Sequence, residues 1–231
     1  IGGTKIRAVL WNGKRVVQAR EFPTPKNKTN FKKSIVAVTF RLSRQKPISK
    51  IGVGAAGIVE RSTLIFSPNI PYIQNFNFRS LWPSTPSLRV DNDARCFARA
   101  EFLGGAGRRS KRLFALTIGT GIGRSYGKNG KIIKIKKFEY PERWEREYQR
   151  IRNTEDNRKL ANFLGQKLAA LLKPFKPEAI VIGGGVMDRS GFPQRLQEAM
   201  KAHGLACKIR RARLGKNAVA VGAALLFNEY K

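Results

Sequence analysis

Three glycine-rich turns, Gly2-Gly3-Thr4, Gly119-Thr-Gly-Ile-Gly123 and Gly183-Gly184-Gly185, lie at the edges of short apolar runs and constrain the fold more than any other feature. Glycine at such points lets the chain turn sharply and lets bare backbone N–H groups approach an anion, while the Thr hydroxyls add donors. None of the three ends in Gly-Lys-Ser/Thr, and the run from Gly119 to Gly123 does not complete the dinucleotide fingerprint. A phosphate site built from them would be shared among several hairpins; the plain alternative is that each is a tight turn and nothing more.

The apolar runs alternate with helical stretches. Residues 5 to 11 and 15 to 19 read as strands around Asn12-Gly13, a hairpin signal. Ile48 to Ala55, Ser87 to Val90, Leu113 to Ile118 and Glu178 to Ile182 read as further strands. Ala94 to Leu103, Pro193 to Ala202 and the small-residue stretch Asn217 to Phe227 read as helices, and Glu139 to Leu172 as helical through much of its length. Phe31 to Leu42 is readable as a helix, although Val36-Ala-Val-Thr-Phe is rich in strand formers. Phe66 to Pro86 reads as loop, because Pro68, Pro71, Pro83 and Pro86 interrupt it. Strands alternating with helices predict an α/β architecture.

The chain has 231 residues, enough for one large domain or two small ones, and its 42% hydrophobic content is enough to bury a core. Lys and Arg number 46 against 15 acidic residues, a net charge of +31. The excess runs through the whole chain, as a nucleic-acid-binding tail would not, so it favours any polyanion or reflects a general basic bias. No zinc-finger spacing or RNA-binding aromatic motif points to specific nucleic-acid recognition. The two cysteines, Cys96 and Cys207, are far apart and make neither a disulfide framework nor a Cys-rich zinc cluster, which fits a reducing cytoplasm. No run approaches about 18 apolar residues, so no membrane span is expected. The first residue, Ile1, is not Met, and the chain is expected to begin inside a strand.

Asp93 follows a strand and precedes a helix, where a side chain in an α/β sheet points toward a ligand crevice. Its carboxylate could take a hydroxyl proton in a phosphoryl transfer, a reaction that asks mainly for positioning and for donors to the phosphates. The alternative is that Asp93 caps the helix after it.

Taken in order, Ile1-Gly-Gly-Thr-Lys-Ile-Arg-Ala-Val-Leu, Gly52-Val-Gly-Ala-Ala-Gly57, Ser67-Pro-Asn69, Val90-Asp-Asn-Asp-Ala94, Leu116-Thr-Ile-Gly-Thr-Gly-Ile-Gly123, Ile180-Val-Ile-Gly-Gly-Gly-Val186 and Asn217 to Leu225 resemble the ROK family of sugar kinases. The resemblance implies an α/β, two-lobed actin/hexokinase/Hsp70-like (ribonuclease H-like) fold with a hinged interdomain cleft. The lobes would be residues 1–91 with 218–231, and 92–217. It implies transfer of a phosphoryl group from ATP to a hexose hydroxyl, with Mg²⁺ on the phosphates. Position by position, Asp93 matches the catalytic base and Asn92 its sugar-binding neighbour, with Asn69 and Gly57 as the sugar-side wall. Gly2, Gly3 and Thr4 match the first phosphate loop, Thr120 and Gly121 the second, and Gly184 and Gly185 the adenosine turn. The family's acidic residue that helps to hold the metal falls before Ile1. Family members often dimerise, which makes a homodimer an expected assembly beside the sugar and nucleotide partners.

The chain departs from the family pattern where a Gly-Glu-x-Gly-His element and a zinc-binding cysteine cluster usually stand. Gly130 leads instead into Lys131-Ile-Ile-Lys-Ile-Lys-Lys137, and the single histidine is His203, expected at the surface on a helix end. No zinc is therefore expected, and Glu139 is read either as a stand-in for the missing Glu or as a helix start. The shortened middle and Trp144-Glu-Arg-Glu-Tyr-Gln-Arg150 are similar to polyphosphate glucokinases, which keeps polyphosphate open as the donor. A nucleotide- or sugar-binding relative that has lost its chemistry is the remaining alternative.

Overall fold

The computed structural model describes residues 1–44, 48–84, 87–139 and 141–228. Pro86, in the expected loop, Tyr140, in the expected long helix, and the end of the last segment, 229–231, lie outside them. The backbone divides into two units, residues 1–100 with 216–231 and residues 101–215. The first boundary expected from the sequence, after residue 91, thus lies nine residues earlier, and the first unit also holds Asn92, Asp93 and most of the helix that they begin.

In the first unit, β1 (Lys5–Trp11) and β2 (Val16–Pro23) pair antiparallel with Val9 opposite Ala19. The Asn12 side chain closes their turn by accepting the backbone N–H groups of Lys14 and Arg15 at 3.0 and 2.9 Å. The segment of ambiguous propensity is a helix, α1 (Lys28–Ser43), capped by Asn27 through the N–H of Asn30 at 2.9 Å. Its buried residues Phe31, Ile35, Val38 and Leu42 recur every three or four positions, and burial of this stripe overrides the strand preference of Val36 to Phe40. β3 (Lys50–Ala55) runs parallel to a later strand, and β4 (Ile58–Glu60), β5 (Thr63–Phe66) and β6 (Phe76–Asn77) form a small antiparallel sheet. Within the 66–84 segment Pro71 opens a 3-10 turn, Pro71–Ile73, and Pro68 and Pro83 lie in turns. Phe76 packs edge-on against Phe31 and Phe78, with centroids 5.7 and 5.1 Å apart, at the centre of this unit's core. β7 (Ser87–Asn92) pairs with β3, Val90 opposite Val53, and α2 (Asp93–Leu103) follows without a break.

The second unit is a five-stranded sheet. β8 (Arg112–Ile118), β9 (Ile122–Lys128) and β10 (Lys131–Ile133) are antiparallel, and β11 (Ala179–Gly183) and β12 (Ile209–Arg211) extend the sheet parallel to β8 in the order β10-β9-β8-β11-β12. The expected long helix is three: α3 (Lys136–Glu139), α4 (Glu145–Asn153) and α5 (Asn157–Leu172). Glu155 at φ 59° breaks the chain between the last two, and Asp156 caps α5 through the N–H groups of Arg158 and Lys159 at 3.0 and 2.9 Å. β11 (Ala179–Gly183), α6 (Phe192–Ala202) and β12 (Ile209–Arg211) complete the unit. Leu160, Leu164, Leu168 and Leu172 are wholly buried along one side of α5, each worth about 1.5–3 kcal/mol of burial. The Glu101 carboxylate, also buried, accepts the N–H groups of Ala106, Arg213 and Leu214 at 2.8, 3.1 and 2.9 Å and so fastens the end of this unit to its beginning.

The chain then returns to the first unit as α7 (Ala218–Ala224), shorter than the expected helix because a 3-10 turn, Leu225–Asn228, replaces its end. Gly222 of α7 lies directly on the backbone of Cys96 in α2, and Gly52 of β3 on that of Ala223, contacts that leave no room for a Cβ. Cys96 itself is buried there, and burial pushes its thiol pKa up.

Candidate active site

In the first unit, the N–H of Ala56, just beyond β3, donates to the carbonyl of Ile1 at 3.0 Å, which ties the first glycine turn to the end of β3. A Cβ on Gly3 would stand 2.6 Å from the Asn69 Cβ and 2.8 Å from the Asn69 oxygen, so the turn and Asn69 are in direct contact because residue 3 is glycine. Thr24 holds the turn from behind, its hydroxyl on the Gly2 carbonyl at 2.6 Å and its N–H on the Thr4 carbonyl at 3.0 Å.

Asn92 is drawn into the scaffold. Its Nδ2 donates to the Gly57 carbonyl at 2.9 Å, and its Oδ1 accepts the N–H groups of Ala94 and Arg95 at 2.9 and 3.2 Å. Asn92 therefore caps α2, and among the described residues its second amide hydrogen is unengaged. Asp93 stands on the first residue of α2. Its Oδ1 accepts the adjacent Ala94 N–H at 2.9 Å, and among the described residues no hydrogen bond engages its Oδ2. Burial raises the Asp93 carboxyl pKa above the ordinary carboxylate range, with the positive charge on the Ile1 nitrogen, the N–H groups of Ala94 and Asp93 and the Arg95 charge acting against that rise. Beneath it, Asp91 holds the Asn92 N–H and Arg95 Nε on Oδ1 at 2.8 and 2.5 Å, and Arg99 on Oδ2 at 2.8 Å. These three charged residues lie at i, i+4 and i+8, the spacing of one helix face running back into β7; they fix the backbone on either side of Asp93.

In the second unit, the hairpin between β8 and β9 carries Thr120 and Gly121 at its exposed tip, with Thr117 opposite Gly123 and Ile118 opposite Ile122. The Gly119 N–H closes the turn on the Gly121 carbonyl at 3.0 Å. Gly184, at φ 98°, packs on the end of β8: a Cβ there would stand 2.7 Å from the Ile118 carbonyl carbon and 2.8 Å from its nitrogen. The Gly119–Gly123 turn and the Gly183–Gly185 turn are thus neighbours, and Gly185 faces open space. Tyr148 and Arg152, one helical turn apart on α4, both donate to the Gly119 carbonyl, at 2.5 and 3.1 Å. Arg189 donates in turn to the Arg152 carbonyl at 2.9 Å. Deeper in this unit, the buried Arg124 donates to Glu145 at 2.8 Å beside the rings of Phe138 and Trp144. Burial pushes the Glu145 carboxyl pKa up and the Arg124 guanidinium pKa down.

Sequence alone does not single out Asp91, Arg95, Arg99, Tyr148, Arg152 or Arg189; the i, i+4 spacings within Asp91, Arg95 and Arg99 and between Tyr148 and Arg152 are the signals that pair some of them. Glu139 ends α3 instead of starting a helix, and His203 is exposed at the end of α6. Among the described residues no three His, Cys, Asp or Glu side chains gather to hold a metal, and no helix is long and apolar enough to cross a membrane. The first unit thus holds a carboxyl of raised pKa at the start of α2, and the second holds two neighbouring glycine turns, one of them held by Tyr148 and Arg152.

The chain is 32% identical over 131 residues to a glucokinase of Streptomyces coelicolor, a match that covers 53% of this chain and 40% of that protein's length. The crystal structure of a ROK hexokinase from Thermus thermophilus superposes with a TM-score of 0.78 at 27% identity, covering 97% of this chain and 95% of the other. A ROK family glucokinase from Streptomyces griseus, solved with glucose and AMPPNP, superposes with a TM-score of 0.80 over 98% of this chain and 96% of the other; at 24% identity that likeness speaks for the fold. The two units therefore have the α/β fold of the actin/hexokinase class that the resemblance implied. The family model described as ROK family matches residues 1–137 and 145–230, and the chain belongs to the ROK family.

Proposed function

We propose that this chain is a sugar kinase that transfers the γ-phosphoryl group of ATP to a hexose hydroxyl, with Asp93 as the base. The carrying observation is the division of labour at the start of α2: Asn92 supplies the cap, which leaves the raised Asp93 carboxylate with Oδ2 unengaged among the described residues. In this reading the hydroxyl proton passes to Oδ2 as the sugar oxygen bonds to the γ-phosphorus. The bond from that phosphorus to the bridging oxygen breaks, and ADP leaves with the electron pair. Gly57, Asn69 and the remaining amide hydrogen of Asn92 are assigned to the sugar. Gly2, Gly3 and Thr4, with Thr120 and Gly121, are assigned to the phosphates, and Gly184 and Gly185 to the adenosine. Both oxygens of Asp91 are engaged by Arg95 and Arg99, so Asp93 would be the carboxylate left to help hold a Mg²⁺ carried on the nucleotide's phosphates. The ion's chemistry there would be to neutralise phosphate charge.

The nucleotide analogue and glucose bound by the Streptomyces griseus glucokinase support this choice of donor and acceptor. Free thiols at Cys96 and Cys207 fit a cytoplasmic setting. The test is phosphoryl transfer from ATP, and separately from polyphosphate, to glucose and related hexoses, with Asp93→Asn as the control. Loss of about 10² to 10⁴ in rate is expected of that variant. Binding of ATP without transfer to any sugar would instead support the binding-only reading, which the missing Gly-Glu-x-Gly-His element favours.

A further inference from the structure

We propose that Tyr148 and Arg152 are positioning residues that fix the peptide between Gly119 and Thr120 so that its N–H faces the phosphates; this rests on the nucleotide-binding reading above. In a trans peptide the carbonyl of one residue and the N–H of the next point in opposite directions. The Gly119 carbonyl is turned toward α4, where the Tyr148 hydroxyl and the Arg152 guanidinium take up its two lone pairs at 2.5 and 3.1 Å. The Thr120 N–H on the same peptide is thereby directed away from α4, at the exposed tip of the hairpin.

An unanchored glycine turn can rotate this peptide, which would present the negative end of its dipole to an anion. Two donors on one carbonyl prevent that rotation, and one of them adds a positive charge close to the turn. Burial pushes the Tyr148 hydroxyl pKa up to about 12, so it stays protonated and donating at working pH. Arg189 holds the end of α4 in place through the Arg152 carbonyl at 2.9 Å, and Arg152 lies between that contact and Gly119.

The experiment compares ATP with adenosine by isothermal titration calorimetry in wild type, Tyr148→Phe and Tyr148→Phe/Arg152→Gln, after thermal unfolding has verified that each is folded. Tyr148→Phe keeps the buried ring and removes only the donor. ATP is expected to bind about three- to tenfold more weakly to the single variant and about tenfold more weakly again to the double, as loss of one and then a charged hydrogen bond predicts, while adenosine affinity stays unchanged. Equal weakening of both ligands, or no change for ATP, overturns the positioning role. A wild-type protein that binds neither ligand overturns the nucleotide reading and this inference with it, an outcome distinct from the first.

Discussion

Replacing Gly184 and Gly185 one at a time by Ala separates two demands on adjacent residues of one turn. Gly184 lies at φ 98° and ψ 158°, a region of backbone space that residues with a Cβ scarcely enter, at a penalty of about 1–3 kcal/mol. Its added methyl would also stand 2.7 Å from the Ile118 carbonyl carbon and 2.8 Å from the Ile118 nitrogen, atoms of the central strand that cannot swing aside. Such overpacking costs about 1–3 kcal/mol more. The total of about 2–6 kcal/mol, at about 2–4 °C per kcal/mol for a chain of this length, lowers Tm by at least about 4 °C. At Gly185 a methyl would meet no atom within 4 Å and φ is not positive, so Gly185→Ala is expected to leave Tm unchanged or to raise it slightly, through a gain of about 0.4–1 kcal/mol from the unfolded chain. A methyl there would nonetheless occupy the open space assigned to adenosine, so ATP affinity should fall without loss of stability. The assay is thermal unfolding by circular dichroism together with ATP titration. A Gly184→Ala protein melting within about 1 °C of wild type, or the two variants melting alike, would refute the packing argument.

Asn92→Ala removes the α2 cap and the donor to the Gly57 carbonyl, and should cost about 1–3 kcal/mol in urea unfolding. Glu145→Leu takes away the carboxylate that buried Arg124 donates to and should cost about 3–5 kcal/mol, whereas Arg124→Leu/Glu145→Leu should cost clearly less; equal losses would remove the pairing as the cause. The raised pKa of Asp93 favours its neutral form in the folded state, so its contribution to stability is complete below the unfolded carboxylate range and is lost as pH rises through the folded value. Asp93→Asn should therefore raise Tm relative to wild type at pH 7 and lose that advantage near pH 3, as thermal unfolding across pH would reveal.

Much of the candidate site's local geometry was legible because its demands fall on single residues. A turn against Asn69 requires glycine at position 3, a positive φ requires it at 184, and a carboxylate after a strand announces itself at position 93. The strands β9 and β10 were not legible, for Ile122–Lys128 is buried on both faces and carries Arg124 and Ser125 inside, one on each face, which erases the alternation that marks a strand. The break between α4 and α5 was hidden because Glu155, not glycine, takes the left-handed conformation. Asn92 and Asp93 are both good caps, and sequence cannot decide between neighbours when the helix start shifts by one residue. The anchoring of Gly119 by Tyr148 and Arg152 joins residues 29 and 33 positions apart, a pairing that only the folded sheet and helix create.

The central claim is tested most directly by the pH dependence of phosphoryl transfer from ATP to glucose in wild type and Asp93→Asn. Transfer by the wild type is predicted to fall with decreasing pH along a limb set above the ordinary carboxylate range, and to drop by about 10² to 10⁴ in the variant, which should show no such limb. Transfer at equal rates in both proteins, or the same limb in both, would contradict the assignment of Asp93 as the base.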